Sequence, residues 1–245
     1  MKKWIFRIVL VVLLAVLGFS GYNLFKIYSA KQQVEKETEH FKKYAENDSG
    51  TAFDLDWDAL RQQNPDIVAW VYVPDCDISF PVVQGEDNSY YLTHTTGKEY
   101  SEYGSVFLDC AANSQFLDNN SVVYGHSVEG GGMFTNIKNF ADESFFNQHS
   151  CFYLMTPSAN YKCNIITFAQ TTDGSVYYTT NFGDYRDDTI SQWYSNALYS
   201  NSYDTSNCNF ISLSTCNLDY GFSSNQRYVL TAALEVTNDP IQKEE

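Results

Sequence analysis

The chain has 245 residues, of which 44% are hydrophobic, 16% aromatic and only 18% charged; that is enough for a sizeable core and argues against a disordered chain. Thirty acidic against fifteen basic residues leave a net charge of −15. This lacks the basic footprint that nucleic-acid binding needs.

Residues 8–25 form an uncharged run of 18 residues preceded by Lys2, Lys3 and Arg7. At ~1.5 Å per residue the run just crosses a hydrocarbon core of ~30 Å. Basic residues stay inside, so residues 1–7 are expected in the cytoplasm and everything beyond residue 25 outside. The rival is a cleaved signal peptide. Against it, the run exceeds a usual h-region, and Gly18-Phe19-Ser20 only poorly imitates a cleavage site. The expectation is a single-pass signal-anchor that holds the protein to the membrane.

Residues 26–50 are polar and charged, with Val34, Phe41 and Tyr44 as a thin apolar stripe near helical spacing. They are expected to form a helical stalk that packs partly on the following domain and ends at Asn47-Asp48-Ser49-Gly50. The domain itself is expected over 51–236, with a polar tail at 237–245. It opens on a short helix with Asp56 as N-cap, running from Trp57 to Asn64-Pro65.

Tyr, Phe, Val, Ile and Thr then dominate runs broken by turn residues, the pattern of short strands. The runs are Ile67–Val73, Ile78–Val83, Ser105–Leu108, Ser121–Tyr124, Phe152–Met155, Lys162–Ala169, Phe210–Ser214 and Arg227–Val236. Pro157-Ser158-Ala159-Asn160 reads as a hairpin turn. Helical segments are expected at Met133–Phe140 and Arg186–Tyr199. Seven or eight strands with inserted helices point to a closed β-barrel with helical additions.

The six cysteines (Cys76, Cys110, Cys151, Cys163, Cys208 and Cys216) are too sparse for a disulfide-stapled miniprotein and too scattered for a zinc site. No structural metal is expected, and the sequence assigns no disulfide.

Three local signals carry chemistry. Ile211-Ser212-Leu213-Ser214-Thr215-Cys216 is an apolar strand that ends in two hydroxyls and a thiol. Ser121-Val122-Val123-Tyr124-Gly125-His126 is a β-branched strand that runs out through a glycine into a histidine. In Asn225-Gln226-Arg227-Tyr228-Val229-Leu230 an arginine opens the last strand. Each alone has a plainer reading: a small buried hydrophobe, a structural histidine, a strand-edge arginine. His40 sits in the polar stalk, and His94 and His149 read as surface residues. Together the three signals supply a thiol, an imidazole able to act as base and then acid, and a permanent cation with a forked donor geometry. Acyl transfer through a thiol needs these three types.

Leu213-Ser214-Thr215-Cys216 followed 11 residues later by Arg227, with Tyr124-Gly125-His126 upstream, resembles the signature of the sortase family. Asn64-Pro65-Asp66-Ile67-Val68-Ala69-Trp70, Phe80-Pro81-Val82-Val83-Gln84, Asp87-Asn88-Ser89-Tyr90-Tyr91-Leu92, Gly104-Ser105-Val106-Phe107-Leu108-Asp109 and Met133-Phe134 extend the likeness to its class B, over about 56–236. The resemblance implies an eight-stranded sortase-type barrel, mainly β, with N-terminal helices and a helix before the Cys216 strand. It implies a cysteine transpeptidase with Cys216 as nucleophile, His126 as acid/base and Arg227 stabilising charge. Such an enzyme cleaves a C-terminal sorting signal at a Thr–X bond through a thioacyl intermediate. It then passes the surface protein or pilin to an amine of a peptidoglycan precursor or of a pilin Lys. No metal or organic cofactor is implied. Asn88, Leu92, Ser214 and Thr215 match positions that contact the substrate peptide. One departure is visible: the acidic residue that some class B members carry two positions after the cysteine is Leu218 here, with Asp219 following. A water-using hydrolase and a catalytically silent peptide-binding module are the competing readings.

Overall fold

The structure, a computed structural model, describes residues 2–46, 51–128, 131–221 and 224–243. The expected stalk end at Asn47–Gly50, Met1 of the expected cytoplasmic segment and the last two residues of the expected tail lie outside them.

Helix α1 (Lys2–Lys42) runs unbroken through both the apolar run and the charged stalk, about 60 Å at ~1.5 Å per residue. Its side chains over residues 3–22 are exposed. It holds the one stretch among the described residues long and apolar enough to cross a membrane. Farther on the helix finds partners, and Val34 and Phe41 are buried against the domain as their spacing predicts. Helix α2 (Trp57–Gln63) starts where Asp56 Oδ1 accepts from Ala59 N at 2.9 Å. It stops at Asn64, whose buried amide donates to Tyr91 Oη and to Thr96 O at 2.9 and 2.8 Å.

The strands are β1 (Ile67–Val73), β2 (Ile78–Val83), β3 (Val106–Leu108), β4 (Asn120–Tyr124), β5 (Cys151–Met155), β6 (Asn160–Thr172), β7 (Tyr199–Ser200), β8 (Phe210–Cys216) and β9 (Gln226–Thr237). Their order is β5-β1-β2-β3-β4-β8-β9-β6-β7, and β5 also pairs with β6. That last pairing closes eight strands into a barrel and leaves the two-residue β7 on the flank of β6. Closure removes the exposed edges that an open sheet would present.

Alternation sorts the side chains. Ala69, Val71 and Val73 of β1 face the barrel core, while Trp70 and Tyr72 face an outer layer with Phe41, Ala45 and Leu60. Ile67 joins the outer layer although a strict period of two would turn it inward, because the register shifts between Ile67 and Ala69. A shift between Ile165 and Thr167 does the same on β6, with Ile165 and Phe168 inside and Ile166 and Ala169 outside. Those two outer residues pack with Trp193, from the helix Arg186–Asn196, in a third cluster. The fully buried Trp70 and Trp193 anchor the two outer layers; truncating such a side chain costs about 3–5 kcal/mol.

Several boundaries differ from expectation. The segment expected as a helix at Met133–Phe140 is a 3₁₀ run, Thr135–Ala141, and Met133 itself has φ 48°. Helix α3 (Glu143–Gln148) follows it, capped by Asp142, whose Oδ1 accepts from Phe145 N. Helix α4 (Arg186–Asn196) stops three residues short of Tyr199, because Ala197 turns extended and Tyr199 pairs with Phe168 in β7. His149 is no surface residue: its side chain is 14% exposed, bonded to Asp75 at 2.8 Å and stacked on Phe145.

Candidate active site

Three neighbouring strands bring the chemistry to one end of the barrel. β4 and β8 run parallel, with Tyr124 opposite Ser214, so both finish at the same edge. β9 runs antiparallel to β8 and starts there, with Arg227 in register with Cys216. His126, two residues past β4, therefore reaches the same place. A buried hydroxyl staple fixes the register: Ser212 Oγ donates to Asn120 Oδ1 at 3.0 Å and meets Thr231 Oγ1 at 3.0 Å, joining all three strands.

Gly125 sets the exit from β4. A Cβ there would lie 2.6 Å from Cγ of Phe134, a ring with no exposed surface. Only glycine lets the chain pass that close. Phe134 N then donates to His126 O at 3.0 Å. Ser127 Oγ donates to Cys216 O at 2.7 Å and, having spent its one proton, accepts from Thr215 Oγ1 at 2.9 Å. The histidine segment is thus bolted to the cysteine strand.

His126, Cys216 and Arg227 are half-buried and share a cleft of about 300 Å³ with Asn88 and Leu92. His126 Nε2 lies 2.9 Å from Leu92 O. A carbonyl only accepts, so Nε2 carries the proton and the neutral ring keeps its lone pair on Nδ1. Arg227 Nη1 donates to Ser224 O and Gln226 O at 2.8 and 2.9 Å, and Nη2 faces Asp173 Oδ2 at 3.3 Å. Among the described residues these bonds take three of its five N–H groups. The other two remain for a ligand.

The four residues expected to contact substrate all border this cleft, though not equally. Leu92 is 40% exposed. Asn88 is braced from behind, its Nδ2 donating to Asp109 Oδ2 and its Oδ1 accepting from Cys110 N. Ser214 and Thr215 are buried, and their hydroxyls are engaged by Tyr178 and Ser127. Tyr178 and Asp173 also line the cleft and carry no sequence signal that would have found them. Burial pushes the Tyr178 phenol above its ordinary value, although the Ser214 hydrogen bond and the Arg227 cation pull the other way. It stays a proton donor at neutral pH.

The other thiols are differently placed. All six cysteines are free. Burial pushes Cys76 up to about 12 and Cys163 well above the ordinary thiol range, and it raises Cys208 as well. Thiols held protonated in this way are poor nucleophiles. Among the described residues no group of three or more His, Cys, Asp or Glu gathers as metal ligands would. The arrangement can present a thiol to a carbonyl, move a proton through an imidazole and hold an oxyanion on a guanidinium.

Comparison with known proteins points to one family. The sortase domain family matches residues 71–235. Sortase B of Listeria monocytogenes is 30% identical over 173 residues, covering 69% of this chain and 70% of that protein. Among solved structures, Clostridium perfringens sortase B superposes with TM-score 0.67 at 33% identity, covering 73% of this chain and 98% of that one. A Streptococcus pyogenes class B sortase involved in pilus biogenesis gives TM-score 0.67 at 31% identity, covering 74% and 98%.

Proposed function

We propose, from the premise that this chain belongs to the sortase family and within it to the class B cysteine transpeptidases, that it joins proteins bearing a C-terminal sorting signal to an amine at the cell surface. The observation that carries the reading is the convergence of Cys216, Arg227 and His126 on one cleft at the end of three paired strands.

Cys216 Sγ attacks the carbonyl of the threonine in the signal. The two N–H groups of Arg227 not already bonded hold the oxyanion. As Sγ attacks, the Cys216 thiol proton passes to His126 Nδ1, which gives it to the leaving amine as the C–N bond breaks, and a thioacyl enzyme results. An acceptor amine then attacks the same carbonyl, its proton passes through His126 to Sγ as the C–S bond breaks, and the new amide leaves. Leu92 O orients the imidazole, while Leu92 and Asn88 border the path of the signal peptide. The apolar part of α1 anchors the enzyme in the membrane as a single pass. Lys2, Lys3 and Arg7 stay inside and the barrel outside.

The favoured acceptor is an amine of a peptidoglycan precursor. The second reading, pilin joined to pilin through a Lys amine, has one observation in its favour: a similar chain from Streptococcus pyogenes is involved in pilus biogenesis.

A peptide-transfer assay tests the proposal. Peptides of the N-P-x-T-x and L-P-x-T-G types are offered to the full-length chain in detergent, with and without amines. Cleavage after threonine, diverted to an amide by added amine and absent in Cys216→Ala, is expected. A free acid as sole product at every amine concentration would instead assign a hydrolase.

A further inference from the structure

Helix α1 meets the domain immediately past its apolar run. That run ends at Phe25. One residue later Lys26 Nζ pairs with Glu102, and Tyr103 Oη donates to Ile27 O at 3.4 Å. Farther along the helix, on the face of Lys26, Gln33 Nε2 donates to Tyr100 O at 3.4 Å and Glu37 Oε1 accepts from Gly97 N at 2.6 Å. Loop 97–103 therefore lies lengthwise on α1. At ~1.5 Å per residue its contact at Glu37 stands about 18 Å beyond Phe25, and its contacts at Lys26 and Ile27 stand within about 3 Å. The headgroup layer is roughly 5–8 Å thick on each side of the hydrocarbon core. With residues 8–25 in that core, the tip of the loop falls among the headgroups.

What the loop carries there suits the boundary between lipid and water. Tyr100 is 65% exposed although its neighbour Ser101 is buried. Tyr22, one turn before Lys26 on the same helix face, is 64% exposed. The Lys26 ammonium lies near enough to the Tyr22 and Tyr100 phenols to interact with each. Tyrosine joins an apolar ring to a polar tip and is enriched at membrane interfaces for that reason. Lys26 and Glu102 offset each other, so neither brings an unpaired charge to the layer. The loop is also continuous with the wall of the active-site cleft. Tyr100 meets His94 edge-on at 6.1 Å, His94 stacks on Tyr90 at 4.1 Å, and Ser101 N donates to Thr93 O at 3.0 Å. Tyr90–Leu92 is the 3₁₀ turn whose Leu92 carbonyl faces His126.

We propose that loop 97–103 is a second contact between the barrel and the membrane, seated in the outer phospholipid headgroup layer with Tyr100 as its anchor beside Tyr22. The inference rests on the reading of α1 as a membrane anchor and goes beyond it. A span alone would let the barrel swing. A span and a docked loop hold it in one orientation, with the Leu92 wall of the cleft at a set distance from the bilayer.

Photolabelling tests this on the wild-type full-length chain. The chain is placed in phosphatidylcholine nanodiscs doped with a phospholipid that carries a diazirine in its headgroup region, and labelled residues are read by peptide mass spectrometry. Label is expected on α1 around Tyr22 and on loop 97–103. The loop label is expected to exceed by about fivefold that on Tyr185, a comparably exposed tyrosine just before helix α4. Tyr100→Ser, which removes the ring, is expected to cut the loop label about fivefold and to leave the α1 label unchanged. Label on α1 with no more on the loop than on Tyr185 overturns the inference, as does a loop label that survives Tyr100→Ser in full. If α1 itself takes no label, the membrane anchor falls first and the docked loop falls with it.

Discussion

Arg227 shows how much one side chain carries beyond its charge. Its guanidinium spends three N–H groups on Ser224, Gln226 and Asp173, which fixes the plane in which the other two point. A lysine keeps the cation but has no such fork. Arg227→Lys is therefore expected to lower kcat by about 10²–10³, the usual cost of losing a preorganised oxyanion donor, while KM for the peptide changes little. A loss under threefold in steady-state kinetics would remove Arg227 from oxyanion duty. At this scale the sequence was informative where residue type and strand end coincide, as at Cys216 and at the glycine before His126. It was silent on Tyr178 and Asp173, which lie in a three-residue 3₁₀ turn and just past the end of β6, with no local pattern, and reach the cleft through the pairing of β6 with β9 and the bonds from Asn120 Nδ2 to Tyr177 O and Thr179 O. Ser214 and Thr215 were legible as neighbours of the thiol. That their hydroxyls are tied to Tyr178 and Ser127 depends on cross-strand partners that one strand does not reveal.

Element by element, the strands were read largely correctly because runs of β-branched and aromatic residues are broken by turn residues, and both faces of most strands are buried. The errors sit where an element is short. The run at Thr135–Ala141 is 3₁₀, with Thr135, Ile137 and Phe140 buried and no side-chain cap at its start, and β7 is only two residues long. Helix α1 has a second task besides any anchoring. Glu37 Oε1 accepts from Gly97 N at 2.6 Å, and Lys26 pairs with Glu102, so the stalk straps the loop that follows Leu92. Burial holds the Glu37 carboxyl above the ordinary carboxylate range, with the Gly97 and Thr95 hydrogen bonds opposing it. The folded state thus binds this proton more tightly than the unfolded chain. Its contribution to stability is full below the ordinary carboxylate range and is lost as pH rises through the raised value. Glu37→Gln, neutral at every pH and still able to accept from Gly97 N, is expected to raise Tm by about 1–2 °C at pH 7 and by nothing at pH 4. A lower Tm at pH 7 in thermal melts would mean that the ionised carboxylate stabilises the strap.

For the whole molecule, composition and strand spacing led to a closed barrel, and the resemblance supplied eight strands and a class. The structure agrees on both, through the β5–β6 closure and the superposition on class B sortases. What a linear reading lacked was the order of the strands. Only that order explains why residues 126, 216 and 227 meet: two parallel strands end where an antiparallel one begins. The same architecture leaves the apolar part of α1 uncovered by the barrel, its side chains over residues 3–22 exposed. The most direct measurement is intact-mass spectrometry of the full-length chain in detergent after one turnover with a sorting-signal peptide and no amine. The account predicts an added mass equal to the acyl half of the peptide, located on Cys216 and released by an amine. Peptide cleavage that persists in Cys216→Ala, or a folded enzyme with a free Cys216 thiol that cleaves its peptide without ever carrying that mass, would contradict it.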